Sequence, residues 1–182
     1  MTEPVAVFMV ELVNEHEQTG MRKVYCGMGP ACAEEHALDE RGARWHPPER
    51  EFTDTVWDVA RIDTGEIVAT DVWHLSSCRV AGAMYWLPMS EAAADERKSG
   101  SHIFASGPQL EVILPDLTPW NIDSRAHNCT MPADFDHRCW VRHGEPPAIT
   151  VDKNGLTCAA GAGSIQSGGY HGFLRDGRLV VA

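Results

Sequence analysis

Short stretches of alternating apolar and polar residues, punctuated by turn dipeptides, set the pattern of this chain. Val5–Val13 alternates weakly and is rich in β-formers, which predicts a strand, and Arg22–Cys26 predicts a second short one. Trp57–Ile62 and Glu66–Trp73 flank Asp63-Thr64-Gly65, the signature of a hairpin with glycine in its turn. Val80–Leu87 is a mostly apolar run suited to a buried strand and is ended by Pro88. Further on, Ile103–Ala105 and Leu110–Leu114 are split by Ser106-Gly107-Pro108. Ala148–Asp152 runs into Asn154-Gly155, and Gly172–Leu174 and Arg178–Val181 flank Asp176-Gly177, another strong hairpin turn. Two segments depart from the β pattern. Ala31–Glu40 is made of good helix formers, with Pro30 suited to its first turn and Gly42 to its stop, and the Ala-rich Ser90–Ser99 reads as a short exposed helix or loop.

Short strands and turns at this spacing predict a mainly β protein, α+β with one or two short helices. The expected architecture is an antiparallel β-sandwich or a barrel-like sheet. No interdomain linker and no internal repeat stand out, so residues 1–182 are expected to form one domain. An apolar content of 43% with 23% charged residues is ordinary globular composition and argues against disorder.

The charge is uneven. Residues 1–100 carry 9 Lys/Arg against 18 Asp/Glu, whereas residues 101–182 carry 6 against 8 and hold the Cys/His-rich region. A net charge of −11 repels phosphate backbones, so no nucleic-acid partner is expected, and the lack of a Lys/Arg run argues against a membrane partner. The opening residues have no basic segment and their apolar run closes at Glu11, so they read as a strand and not as a secretory signal. In a reducing compartment the six cysteines are expected to be thiols or metal ligands in preference to disulfides.

The densest polar run, residues 123–143, contains His127-x-Cys129 and His137-x-Cys139. On a strand, residues two apart face one side, so each pair can aim two ligands at one point and the two pairs together suit tetrahedral zinc, with Cys158 as a spare soft ligand. The alternative is that Cys129, Cys139 and Cys158 are small core residues and the histidines lie at the surface. A second candidate is Cys26, Cys32 and His36, three ligands with an open position and Glu35 as base. A third is Cys139 as a nucleophile among His137, Arg138, Arg142 and His143, with Asp123, Asp134 or Asp136 orienting a histidine. The six tryptophans serve as core and rim residues or line a ligand groove.

From about residue 70 to residue 182, the stretch from Trp120 to Ile165 and the run Tyr170–Leu179 resemble a family of uncharacterised proteins encoded by actinobacterial tailed phages. The end of the chain, Gly163-Ser164-Ile165 with His171-x-Phe173 and Asp176-Gly177, is also similar to a broader bacterial and phage domain without assigned function. The first resemblance implies a phage origin and transfers no catalytic residue. Its members often carry serine at the position of His127, which implies Cys129, His137, Cys139 and Cys158 as the zinc set. The expected function is a structural or interaction protein, such as a minor virion component, working in the phage virion or the host cytoplasm. Its expected partners are other phage or host proteins, or further copies of itself. Two alternatives stand beside it. One is an intracellular effector binding a host protein or small ligand through an acidic face of Glu34, Glu35, Asp39, Glu40, Glu49 and Glu51; the other is a metal-dependent hydrolase.

Overall fold

Alternating side chains at the centre of the chain build a sheet whose middle strands are buried on both faces. In the computed structural model, which describes residues 3–26, 37–38, 40–87, 108–126, 129, 138–153 and 163–182, thirteen strands are found. They are β1 (Val5–Ala6), β2 (Phe8–Tyr25), β3 (Ala37–Leu38), β4 (Arg44–Arg61), β5 (Ile67–Val72), β6 (Ala83–Leu87) and β7 (Gln109–Ile113). After these come β8 (Pro119–Asn121), β9 (Trp140–His143), β10 (Thr150–Lys153), β11 (Ile165–Ser167), β12 (Tyr170–Arg175) and β13 (Arg178–Val181). The large sheet has the order β3-β4-β2-β6-β7-β8, with β5 also paired to β4. A four-stranded sheet has the order β1-β13-β12-β11, and β9 and β10 form a two-stranded one. All pairings are antiparallel except β2 with β6.

The protein is therefore mainly β, as the sequence pattern predicts, and its sheets do not close into a barrel. Among the described residues a 3-10 turn at Leu75–Ser77 is the helical element, and the helix expected over Ala31–Glu40 is corrected only at Ala37–Leu38. Ala37 and Leu38, at the end of the segment predicted as a helix, pair instead with Trp45 and Arg44. Residues 31–36, 90–99 and 103–105, where further elements were expected, lie outside the described residues.

Period-two alternation divides the buried apolar residues of β6 and β7 between two cores. Met84, Leu110 and Val112 point to one side. There they meet Ile165, Tyr170, Leu174 and Leu179 of the four-stranded sheet, and Trp140, Ile149 and Val151 of the small one. Ala83, Tyr85 and Ile113 point to the other side, against Val10, Val59, Val72 and Cys78. The segment from Leu75 to Val80 covers that second face. Two turns depend on special backbone. Asp176 and Gly177 adopt φ of 46° and 67°, the two positive values that a two-residue hairpin turn of this twist requires. Gly82 has φ 86°, and a Cβ there would lie 2.2 Å from the carbonyl oxygen of Ala6, so only glycine fits.

The two predicted strands at Val5–Val13 and Arg22–Cys26 are, apart from the short β1, a single continuous strand. β2 and β4 are each 18 residues long. From Asn14 to Tyr25, β2 is exposed on both faces except at Arg22 and Val24, which are half-buried. At about 3.3 Å per residue this stretch reaches roughly 40 Å. Among the described residues, β2 pairs only with β4 along it, and β4 from His46 to Val56 pairs only with β2. Such a two-stranded ribbon relies on cross-strand side chains. Thr19 and Thr53 share a hydroxyl hydrogen bond of 3.0 Å. Arg22 pairs with Asp54 and lies 4.4 Å over the ring of Phe52. Tyr25 meets Trp45 edge to face at 5.5 Å.

A bulge between Val13 and His16 marks where the arm leaves the body, and Asn14 there has φ 50°. His16 spans this joint. Its Nδ1 lies 2.8 Å from the Asn14 carbonyl oxygen and its Nε2 lies 2.9 Å from Asp71 Oδ1. Both partners are acceptors, so only the doubly protonated ring satisfies both. The Asn14 carbonyl, then Asp71, hold the His16 pKa above its ordinary value of 6.5, with Asp58 adding to the effect. A raised histidine pKa stabilises the fold fully below the unfolded value and loses that contribution as pH rises through the folded value. Wild type therefore loses more stability between pH 5.5 and pH 8.5 than His16→Gln does, by urea denaturation at the two pH values. Equal losses would contradict the charged bridge.

Candidate functional site

Asp123 is the most deeply buried acid among the described residues, with 1% exposure. It follows β8 at the point where the chain turns toward the Cys/His-rich region. The Asp123 backbone N–H donates to Asn121 Oδ1 at 2.9 Å, and Asn121 in turn donates to Gln109 at 2.6 Å. One carboxylate oxygen of Asp123 accepts the Leu110 N–H at 2.8 Å. The other receives two guanidinium groups, Arg138 Nη1 at 3.1 Å and Arg142 Nε at 3.1 Å. A carboxylate this deep is tolerable because every oxygen is paired and charge-compensated.

The two arginines form part of the wall of an open cleft of about 530 Å³. Trp86, Trp140, Gly144, Glu145 and Pro146 line it with Asp123, Arg138, Val141 and Arg142. Alternation in β9 buries Trp140 and turns Val141 outward. Trp120 meets Trp140 edge to face at 5.3 Å, and Arg142 lies 5.2 Å over the ring of Trp86. Trp140 Nε1 is buried and has no hydrogen-bond partner among the described residues.

The cysteine cluster is seen in part. Cys139 is fully buried in the core between the sheets, just before β9, and Cys129 is half-buried against the same core. Both attach to Ala126. The Ala126 N–H donates to Cys139 Sγ at 3.1 Å, and the Cys129 N–H donates to the Ala126 carbonyl at 3.0 Å. Arg125 Nη2 donates to Cys129 Sγ at 3.3 Å. Neither cysteine lies on a strand, so the expectation that each His-x-Cys pair uses strand geometry does not hold for Cys129 or Cys139. His127, His137 and Cys158 lie outside the described residues, within which no group of three or more metal-ligating side chains comes together.

The other candidates separate. Cys26 is buried beside Arg44, whose carbonyl accepts its N–H at 2.9 Å, while Cys32, Glu35 and His36 lie outside the described residues. Cys139 has no exposure, which does not suit a sulfur that must meet a substrate. Asp123, expected to orient a histidine in that reading, holds two arginines instead. Of the expected acidic face, Glu40, Glu49 and Glu51 are exposed and Glu34, Glu35 and Asp39 lie outside the described residues. Tyr85 and Glu111, register partners across β6 and β7, form another enclosed polar pair. Burial pushes the pKa of both upward; Tyr85 is wholly enclosed and Glu111 half-buried, and their bond ties the two strands together.

No family model, no curated protein and no solved structure matches the chain. Among the described residues, no helix is long and apolar enough to cross a membrane.

Removing the Asp123 carboxylate leaves two guanidinium groups and the Leu110 N–H without their partner. Asp123→Ala is expected to cost about 3–5 kcal/mol of unfolding free energy, the range for breaking a buried charge pair from one side. Denaturant titration checks this, and a loss below about 1 kcal/mol would show that the network is dispensable.

Proposed function

We propose that this chain is a structural or interaction protein that binds a partner through the projecting β2–β4 arm. The observation that carries this is the ribbon: over the twelve residues from Asn14 to Tyr25, β2 pairs with no strand but β4 among the described residues. A strand edge without a neighbour adds readily to another sheet, and the exposed side chains of β2 along the arm leave it surface that a second protein can cover. Large apolar side chains cluster toward its far end, where Met21 is 60%, Tyr25 60% and Leu38 70% exposed. The resemblance to tailed-phage proteins fits a virion component or a factor in the host cytoplasm. The partner is then another phage protein, a host protein or a second copy of the chain.

The reading is tested with a photoreactive amino acid placed at Met21 and illuminated in the cell that makes the protein. Crosslinks to another molecule, whether a second copy or a different protein, support it. Crosslinks confined to the chain itself contradict it.

A structural zinc near Ala126 is a second proposal, supported by the two sulfurs held at one corner with N–H donors facing each. Cys129 and Cys139 would supply two ligands, and His137 and Cys158, with His127 in reserve, would have to supply the rest. Elemental mass spectrometry of untagged protein is expected to find one zinc per chain, lost in Cys139→Ser. Metal-free protein with all cysteines titrating on unfolding would contradict it.

A further inference from the structure

We infer that the cleft beside Asp123 binds a small anion: a carboxylate or phosphate group carried on a flat aromatic ring. Arg142 supplies the anchor. Its Nε is held by Asp123 and its Cζ lies 5.2 Å over the Trp86 ring, two contacts that orient the guanidinium. Its two Nη nitrogens have no protein partner among the described residues, and that end of the group is the fork that suits a bidentate oxyanion.

The two carboxylates of the lining, Asp123 and Glu145, balance its two guanidinium groups, so the cleft wall is formally neutral within a protein of net charge −11, and a small anion fits it better than an extended polyanion. The aromatic preference comes from Trp86, which remains 42% exposed although Arg142 covers one face of its ring. Trp140 adds a second indole to the lining. A volume of about 530 Å³ lies within the range of small-molecule sites, about 300–1,000 Å³. Glu145, exposed at the rim, is the one lining group that opposes an anion. It selects against ligands of higher negative charge and offers a handle on the site that leaves the buried network intact.

The test is titration of the full-length protein with benzoate and with phenyl phosphate, followed by tryptophan fluorescence and calorimetry. Saturable binding of one or both is expected, and the tighter of the two identifies the oxyanion. Inorganic phosphate, which lacks the ring, is expected to bind at least tenfold more weakly. Trp86→Ala should weaken ring-bearing ligands about tenfold, and Glu145→Gln should tighten them about threefold. Saturation by neither ligand would overturn the inference, and so would binding unchanged in both variants. None of these outcomes depends on whether the β2–β4 arm binds a partner.

Discussion

The structure depends on β6, a five-residue strand with its first three side chains fully enclosed and two cores, one on each side. Met84 enters one core and Ala83 and Tyr85 the other, because successive side chains on a strand leave opposite faces. The position of β6 in the large sheet, between β2 and β7, makes its register the reference for both cores. A slip of one residue would exchange the faces of Met84 and Tyr85 and break the Tyr85–Glu111 pairing. The Tyr85–Glu111 bond across β6 and β7 supports that register, since it forms only when these two residues are opposite.

Asp123 extends the same order to the C-terminal half. Its oxygens reach back to the Leu110 N–H on β7 and forward to Arg138 and to Arg142 on β9. One buried carboxylate thus ties the edge of the large sheet to the segment that leads into the small one. The cleft is a consequence of that tie. The arginines that neutralise Asp123 come to its wall, and Trp86 from β6 and Trp140 from β9 are brought to the same place. The arm is the opposite case: among the described residues β2 there has lateral pairing with β4 alone, and Met21, Tyr25 and Leu38 toward its far end are exposed.

Where a residue's burial follows from local alternation, the fold was legible in the sequence. Val80–Leu87, Leu110–Leu114 and the Asp176-Gly177 hairpin each carry their own signal, and each is a strand or turn in the structure. The arm was not legible as one element. From Asn14 to Gly20 no apolar side chain occurs, so no period joins the predicted strands Val5–Val13 and Arg22–Cys26, and pairing with β4 makes them one. Ala37-Leu38 has helical propensity but sits against β4, where ladder hydrogen bonds override it. Asp123, Arg138 and Arg142 were visible as members of a polar run. Their convergence on one buried carboxylate was not, because sequence spacing does not say which of several acids will be enclosed. The aromatic clustering of Trp86 with Trp140 joins residues 54 positions apart and has no local signal.

Amide hydrogen exchange on the isolated protein tests the division between body and arm most directly. If the two cores around β6 hold the body and the arm is a bare ribbon, amides of Ala83–Tyr85 and Leu110–Ile113 exchange at the rate of global unfolding. Those from Glu17 to Lys23 then exchange orders of magnitude faster. Equal protection in both regions of a monomer would contradict the account, because it would mean that the arm is already layered within the chain.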